Sequence, residues 1–135
     1  MSGQHNTGAT YALSLSGSTS ITAGTGVTLE SLNDNTGTIA LLSSGGIDGG
    51  SGTVLMRAAN YAFGGADRTI TTTGVLTIEP DADENSFASS FDNQYLNPVS
   101  VTGLTLGKSS NASAITLSRA ISLSGPVSIY GGSID

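Results

Sequence analysis

From Ile115 onward the chain keeps a register of six: Ile115-Thr-Leu-Ser-Arg-Ala, Ile121-Ser-Leu-Ser-Gly-Pro, Val127-Ser-Ile-Tyr-Gly-Gly, then Ser133-Ile-Asp. Each full block opens on an apolar residue, a small hydroxyl residue and a second apolar residue. Apolar side chains at i and i+2 point to one face of a strand, so each block predicts a short strand with one buried face. The Ser, Gly and Pro that close the blocks predict corners. Three strands and three corners fit one turn of a β-solenoid, whose repeats run to roughly 20–30 residues.

The same pattern, less regular, runs back through the chain. Strands are predicted at Tyr11–Leu15, from Ile21, at Val27–Leu29, Thr38–Leu42, Thr53–Met56, Thr69–Thr73 and Val75–Ile78. Ser31–Gly37 reads as a corner, and Ser43–Gly52 as nearly pure turn chemistry. Ala58–Phe63 reads as a short helical turn or an extra strand. No segment carries the i, i+3, i+4, i+7 period of an amphipathic helix. The expected fold is therefore all-β, a right-handed parallel β-helix (β-solenoid) with one loop excursion at about 79–98. Residues 1–10 form a frayed start, and 11–135 form one solenoid domain, expected to be a segment of a longer parent. The expected core stack is Leu104, Leu106, Ile115, Leu117, Ile121, Leu123, Val127 and Ile129.

The excursion, Glu79 to Pro98, holds Glu79, Asp81, Asp83, Glu84 and Asp92 together with Phe87, Phe91 and Tyr95. Pro80 and Pro98 bracket it, and a proline cannot donate to a ladder. Phe87 and Phe91 stand four apart and are expected to pack on the outside through a single helical turn.

Composition narrows the reading. Gly, Ser and Thr make roughly two-fifths of the 135 residues, well above a globular average. Only 10% of residues are charged and 5% aromatic, so the chain can fill a narrow core but not a wide one. The net charge is −6, and Arg57, Arg68, Lys108 and Arg119 are scattered, which argues against nucleic-acid binding. Absence of Cys excludes disulfides and thiolate chemistry. No stretch is apolar enough to span a bilayer, and the start is not a signal peptide. Met1 is expected to have been added to a segment cut from a longer chain.

The run from Gly74 to Asp135 resembles the central repeat region of filamentous haemagglutinin-like bacterial adhesins. The likeness rests on Gly74-Val-Leu-Thr-Ile-Glu-Pro80, Gly103-Leu-Thr-Leu-Gly-Lys108, Asn111-Ala-Ser-Ala-Ile-Thr-Leu117 and the blocks from Ile121 to Ile134. It implies a secreted or cell-surface β-helical stalk acting in adhesion or surface architecture, without catalytic residues.

A few segments carry partial signatures of other chemistry. Gly103-Leu-Thr-Leu-Gly-Lys108 is one residue short of a phosphate-binding loop. Asp81, Asp83, Asn85 and Asp92 place oxygens as a calcium loop would, although Ser86 stands where Gly is wanted. A carboxylate pair for glycoside chemistry needs a rigid groove, which four acids on one loop do not supply. Phe87, Phe91 and Tyr95 make a candidate ligand loop for surface glycans. Thr69-Ile-Thr71 lacks the repetition of an ice-ordering face. The expected function is a non-enzymatic structural or adhesive module without a cofactor (calcium at most), whose partner is itself, stacked head to tail.

Overall fold

The structure, a computed structural model, describes residues 13–31, 36–42, 44–64, 68–94 and 96–135. The expected frayed segment 1–10, Tyr11 and Tyr95 lie outside them. The described residues form parallel strands stacked as a β-solenoid of about four turns, with no helix.

Strands follow one another around successive coils. The first coil holds β1 (Leu13–Leu15), β2 (Ile21–Thr22) and β3 (Val27–Glu30). The second holds β4 (Thr38–Leu41), β5 (Gly45–Asp48) and β6 (Val54–Arg57). The third holds β7 (Asn60–Phe63), β8 (Arg68–Thr71) and β9 (Val75–Glu79). The fourth holds β10 (Phe91–Asp92), β11 (Leu96–Val99) and β12 (Gly103–Leu106), and the last passage holds β13 (Ile115–Thr116) and β14 (Val127–Ile129). Stacking gives four parallel sheets with strand orders β3-β6-β9-β12-β14, β2-β5-β8-β11, β1-β4-β7 and β10-β13.

Alternation within each strand makes the core. Val27, Val54, Leu76, Leu104 and Val127 share one register row, and Leu29, Met56, Ile78, Leu106 and Ile129 share the next. Side chains within a row meet their own kind at the strand spacing, about 4.8 Å. Val54, Met56, Leu76, Ile78 and Leu106 are fully enclosed. Of the expected stack, Leu104, Leu106 and Ile115 are buried, while Leu117, Ile121, Leu123 and Ile129 are partly buried against the core. Val127 departs from expectation: it is 46% exposed. It sits on β14, the edge strand, where no described coil covers it.

Coil length varies while the register holds. Arg57 bonds Glu30, 27 residues back, and Glu79, 22 residues on. Thr102 reaches Thr73 across 29 residues. The spare residues sit in corners, and corner hydroxyls fasten neighbouring coils. Ser51 donates to the Gly24 carbonyl at 3.1 Å, Ser110 to Asn85 at 3.0 Å and Ser113 to Phe87 at 2.6 Å. The abundance of Ser and Thr thus has a physical use: a short hydroxyl satisfies a carbonyl that a corner leaves outside the ladders.

Three expectations are corrected. The turn-like Ser43–Gly52 contains a strand, β5, whose pairing with β8 sets Ile47 opposite Ile70. Ile121–Leu123 forms no strand. Pro98, expected to mark a departure from the sheet, lies within β11, the edge strand of its sheet. Without an amide hydrogen it weakens any ladder beyond, and the sheet stops there.

Candidate functional site

The acidic-aromatic segment is built into the wall of the solenoid. Turns and bends occupy 80–90, and β10 and β11 then rejoin the sheets. Phe87 and Phe91 do not pack outside on a helical turn: each is 3% exposed, and the two rings stack at 5.5 Å. The reason lies in the preceding coil. Tyr61 and Phe63 share rows with Ile39 and Leu41, so their rings turn inward. Tyr61 meets Phe87 edge-on at 5.7 Å and Phe91 at 5.6 Å, and Phe63 meets Phe91 at 5.7 Å. Edge-to-face pairs add to the stabilisation from burial alone. The Tyr61 hydroxyl lies 2.8 Å from both the Met56 and the Glu79 carbonyls, to which its proton donates. Burial pushes its pKa well above the usual phenol value.

The acids do not converge. Asp81 is buried, and its Oδ1 accepts the Ala82 amide at 2.6 Å. Asp83 and Asn85 are exposed on the following turn. Asp92, on β10, accepts the Gln94 amide at 2.9 Å and the Ser118 hydroxyl of the next coil at 3.0 Å. Among the described residues no three His, Cys, Asp or Glu side chains form a group that could hold a metal ion. The structure therefore does not assemble Asp81, Asp83 and Asp92 into the expected calcium shell.

Several groups that sequence reasoning passed over act as fasteners. Asn93 is buried, donates to the Arg119 carbonyl at 2.9 Å and accepts the Arg119 amide at 2.9 Å. Asn111 accepts the Phe87 amide at 3.2 Å and donates to the Tyr130 carbonyl at 2.7 Å. The cations are engaged similarly. Lys108, from the segment one residue short of a phosphate loop, donates to the Asp81 carbonyl at 3.0 Å. Arg57 lies between Glu30 at 3.0 Å and Glu79 at 2.5 Å. The Glu79 hydrogen bond, more than any other influence, raises the Arg57 pKa. Arg68 is 1% exposed, and burial lowers its pKa. Its Nη1 donates to Thr19 at 3.0 Å and its Nη2 to Leu15 at 3.4 Å. A lone Arg amid Gly, Ala and Asp gives no local sign of such reach.

One groove opens beside the aromatic cluster. Sheet β1-β4-β7 ends at β7, and β10 starts a separate sheet. The resulting seam is a half-open groove of about 160 Å³, lined by Tyr61, Ala62, Phe63, Ser90, Asp92 and Gln94. No family model, curated protein or solved structure matches the chain significantly.

Proposed function

We propose that this chain is a non-enzymatic structural and adhesive module of a secreted or cell-surface filamentous protein, continued end to end by further coils. The observation that supports it is where apolar surface lies. The exposed large hydrophobics among the described residues are Val127 at 46%, Tyr130 at 42% and Ile134 at 52%, all in the last passage of the chain. At the opposite edge of the long sheet, β3 borders a cavity of about 210 Å³ lined by Ile21, Ala23, Gly26, Val27, Thr28 and Leu29.

An apolar coil face with an open strand edge is stabilised by another coil. The two end faces differ, so joining them head to tail does not close and gives a filament. A second copy of this chain is the occupant the proposal commits to. The resemblance of residues 74–135 to filamentous haemagglutinin-like adhesins supports the surface setting.

Sedimentation across micromolar to millimolar concentrations, with negative-stain microscopy, tests the proposal. The expected result is mass that rises with concentration and thin fibres of uniform width. Ile134→Asp is expected to suppress both while circular dichroism stays unchanged. A chain that remains monomeric when concentrated overturns the proposal.

A further inference from the structure

The two outer edges of the long sheet complement each other in their main-chain groups. At β14, the Pro126 carbonyl accepts from the Leu104 amide, and the Tyr130 amide donates to the Leu106 carbonyl, both toward β12. Successive residues of a parallel strand point their main-chain groups to opposite sides, so those of Val127 and Ile129 face away from β12. At β3, the Val27 amide donates to Thr53 and the Ser31 amide to Arg57, both toward β6. The main-chain groups of Thr28 and Glu30 therefore face away from β6. Among the described residues no strand pairs with either of these outer edges.

We propose that β14 of one copy pairs in parallel with β3 of the next in a single register: Val127 on Val27, Ser128 on Thr28, Ile129 on Leu29 and Tyr130 on Glu30. This junction rests on the end-to-end reading above and gives it a fixed geometry. Parity comes first. In a parallel ladder a residue bonds to the neighbours on either side of its register partner, so Val127 and Ile129 need free groups at Thr28 and Glu30. Those are the groups that β3 leaves free. The same rule holds within the chain, where Val27 stands opposite Val54 yet donates to Thr53. A slip of one residue would set Val127 and Ile129 against groups already bonded to β6. It would also set the buried side of one strand against the outer side of the other.

Side-chain rows come second. β3 and β14 stand at opposite ends of one sheet, and this register carries both of its apolar rows from one copy into the next. Val27 covers the half-exposed Val127, and Leu29 covers Ile129. A slip of two residues keeps the parity but loses one of these pairs: Val127 meets Thr25 of the corner, or Ile129 meets Ser31. On the outer face Tyr130, 42% exposed, comes beside Glu30, whose carboxylate can accept from the phenol hydroxyl. The neighbouring wall agrees. Ser133 and Asp135 bond Ile115, which turns the main-chain groups of Ile134 to the open side. The Leu15 carbonyl accepts from Leu42, which turns those of Ser14 to the open side of β1. Parity then sets Ile134 on Leu13 or Leu15, both of which pack against the core.

The chain has no cysteine, so pairwise crosslinking can read the register. Full chains carrying Thr28→Cys and Ser128→Cys are mixed under mild oxidation, and heterodimers are identified by mass. Thr28→Cys with Tyr130→Cys, and Glu30→Cys with Ser128→Cys, report slips of two residues in either direction. In-register parallel partners stand about 4.8 Å apart, inside the Cα range of a disulfide, and slipped ones about 8 Å apart, outside it. The Thr28–Ser128 mixture is expected to form heterodimers at least about tenfold faster than either slipped mixture. A short bifunctional thiol reagent, expected to give the same order, replaces oxidation should parallel strands strain the disulfide. Sedimentation of the cysteine-free chain is run alongside. Association with equal rates in the three mixtures, or with a slipped mixture fastest, overturns this junction and leaves end-to-end stacking standing. A chain that never associates overturns both.

Discussion

Arg68 brings a guanidinium into a largely apolar interior. Its tolerance depends on Gly45, its register partner one coil back. A Cβ at Gly45 would run into the Thr19 carbonyl and stand 2.7 Å from Arg68 Nη1. The missing side chain is the space through which the guanidinium reaches the first coil. Gly45→Ala is therefore expected to cost about 2–4 kcal/mol in urea denaturation, from overpacking and displaced hydrogen bonds. Arg68→Ala is expected to cost about 3 kcal/mol, and Arg68→Met to recover most of that by filling the space without a buried charge. Tyr61 supplies a pH dependence. Its pKa is raised on folding, so the stability tied to its neutral hydroxyl is complete below the unfolded value, about 10. It is lost as pH rises through the higher folded value. Tyr61→Phe is expected to cost about 1–2 kcal/mol at neutral pH and to flatten the alkaline limb of a stability-against-pH curve.

At the scale of strands, burial within a row predicts cost. Ile78 is enclosed between Met56 and Leu106, and Ile78→Ala is expected to lower stability by about 2–5 kcal/mol. Val127→Ala, on the half-open edge, is expected to cost less than about 1 kcal/mol in the same chemical denaturation. The Glu30–Arg57–Glu79 ladder is about one-third exposed at Arg57, so Glu30→Gln is expected to cost under about 1 kcal/mol and to be salt-sensitive. These strands were legible in the sequence to differing degrees. Leu104-Thr-Leu106 and Val75-Leu-Thr-Ile78 declare one apolar face and one polar face, which local alternation suffices to read. β5 did not, because Gly45-Gly46 carry no side chain to alternate and the strand is held by its neighbours. Phe87 and Phe91 were misread because acids flank them, and the rings that bury them, Tyr61 and Phe63, are more than twenty positions away. The seam was invisible for the same reason: it is made by two strands that fail to pair, which no local pattern encodes.

For the molecule as a whole, each coil is supported by the coil on either side. Strands flanked on both faces, β6 and β9 among them, are expected to exchange amide hydrogens most slowly, and β14 most quickly. If the end faces join as proposed, protection at β14 should rise with protein concentration while that of β9 stays constant. Hydrogen exchange read by mass spectrometry at two concentrations checks both statements.

Arg68 also decides how the molecule can be shortened. In a stack where every contact is with the adjacent layer, layers could be peeled from either end one at a time, each at its own modest cost. A side chain anchored on the third coil and bonded to Leu15 and Thr19 on the first ties non-adjacent layers together. Deleting the first coil alone would remove the Leu15 and Thr19 carbonyls to which that guanidinium donates. Removing the first coil is therefore expected to cost more than its own packing, because a residue two layers away loses hydrogen bonds with it.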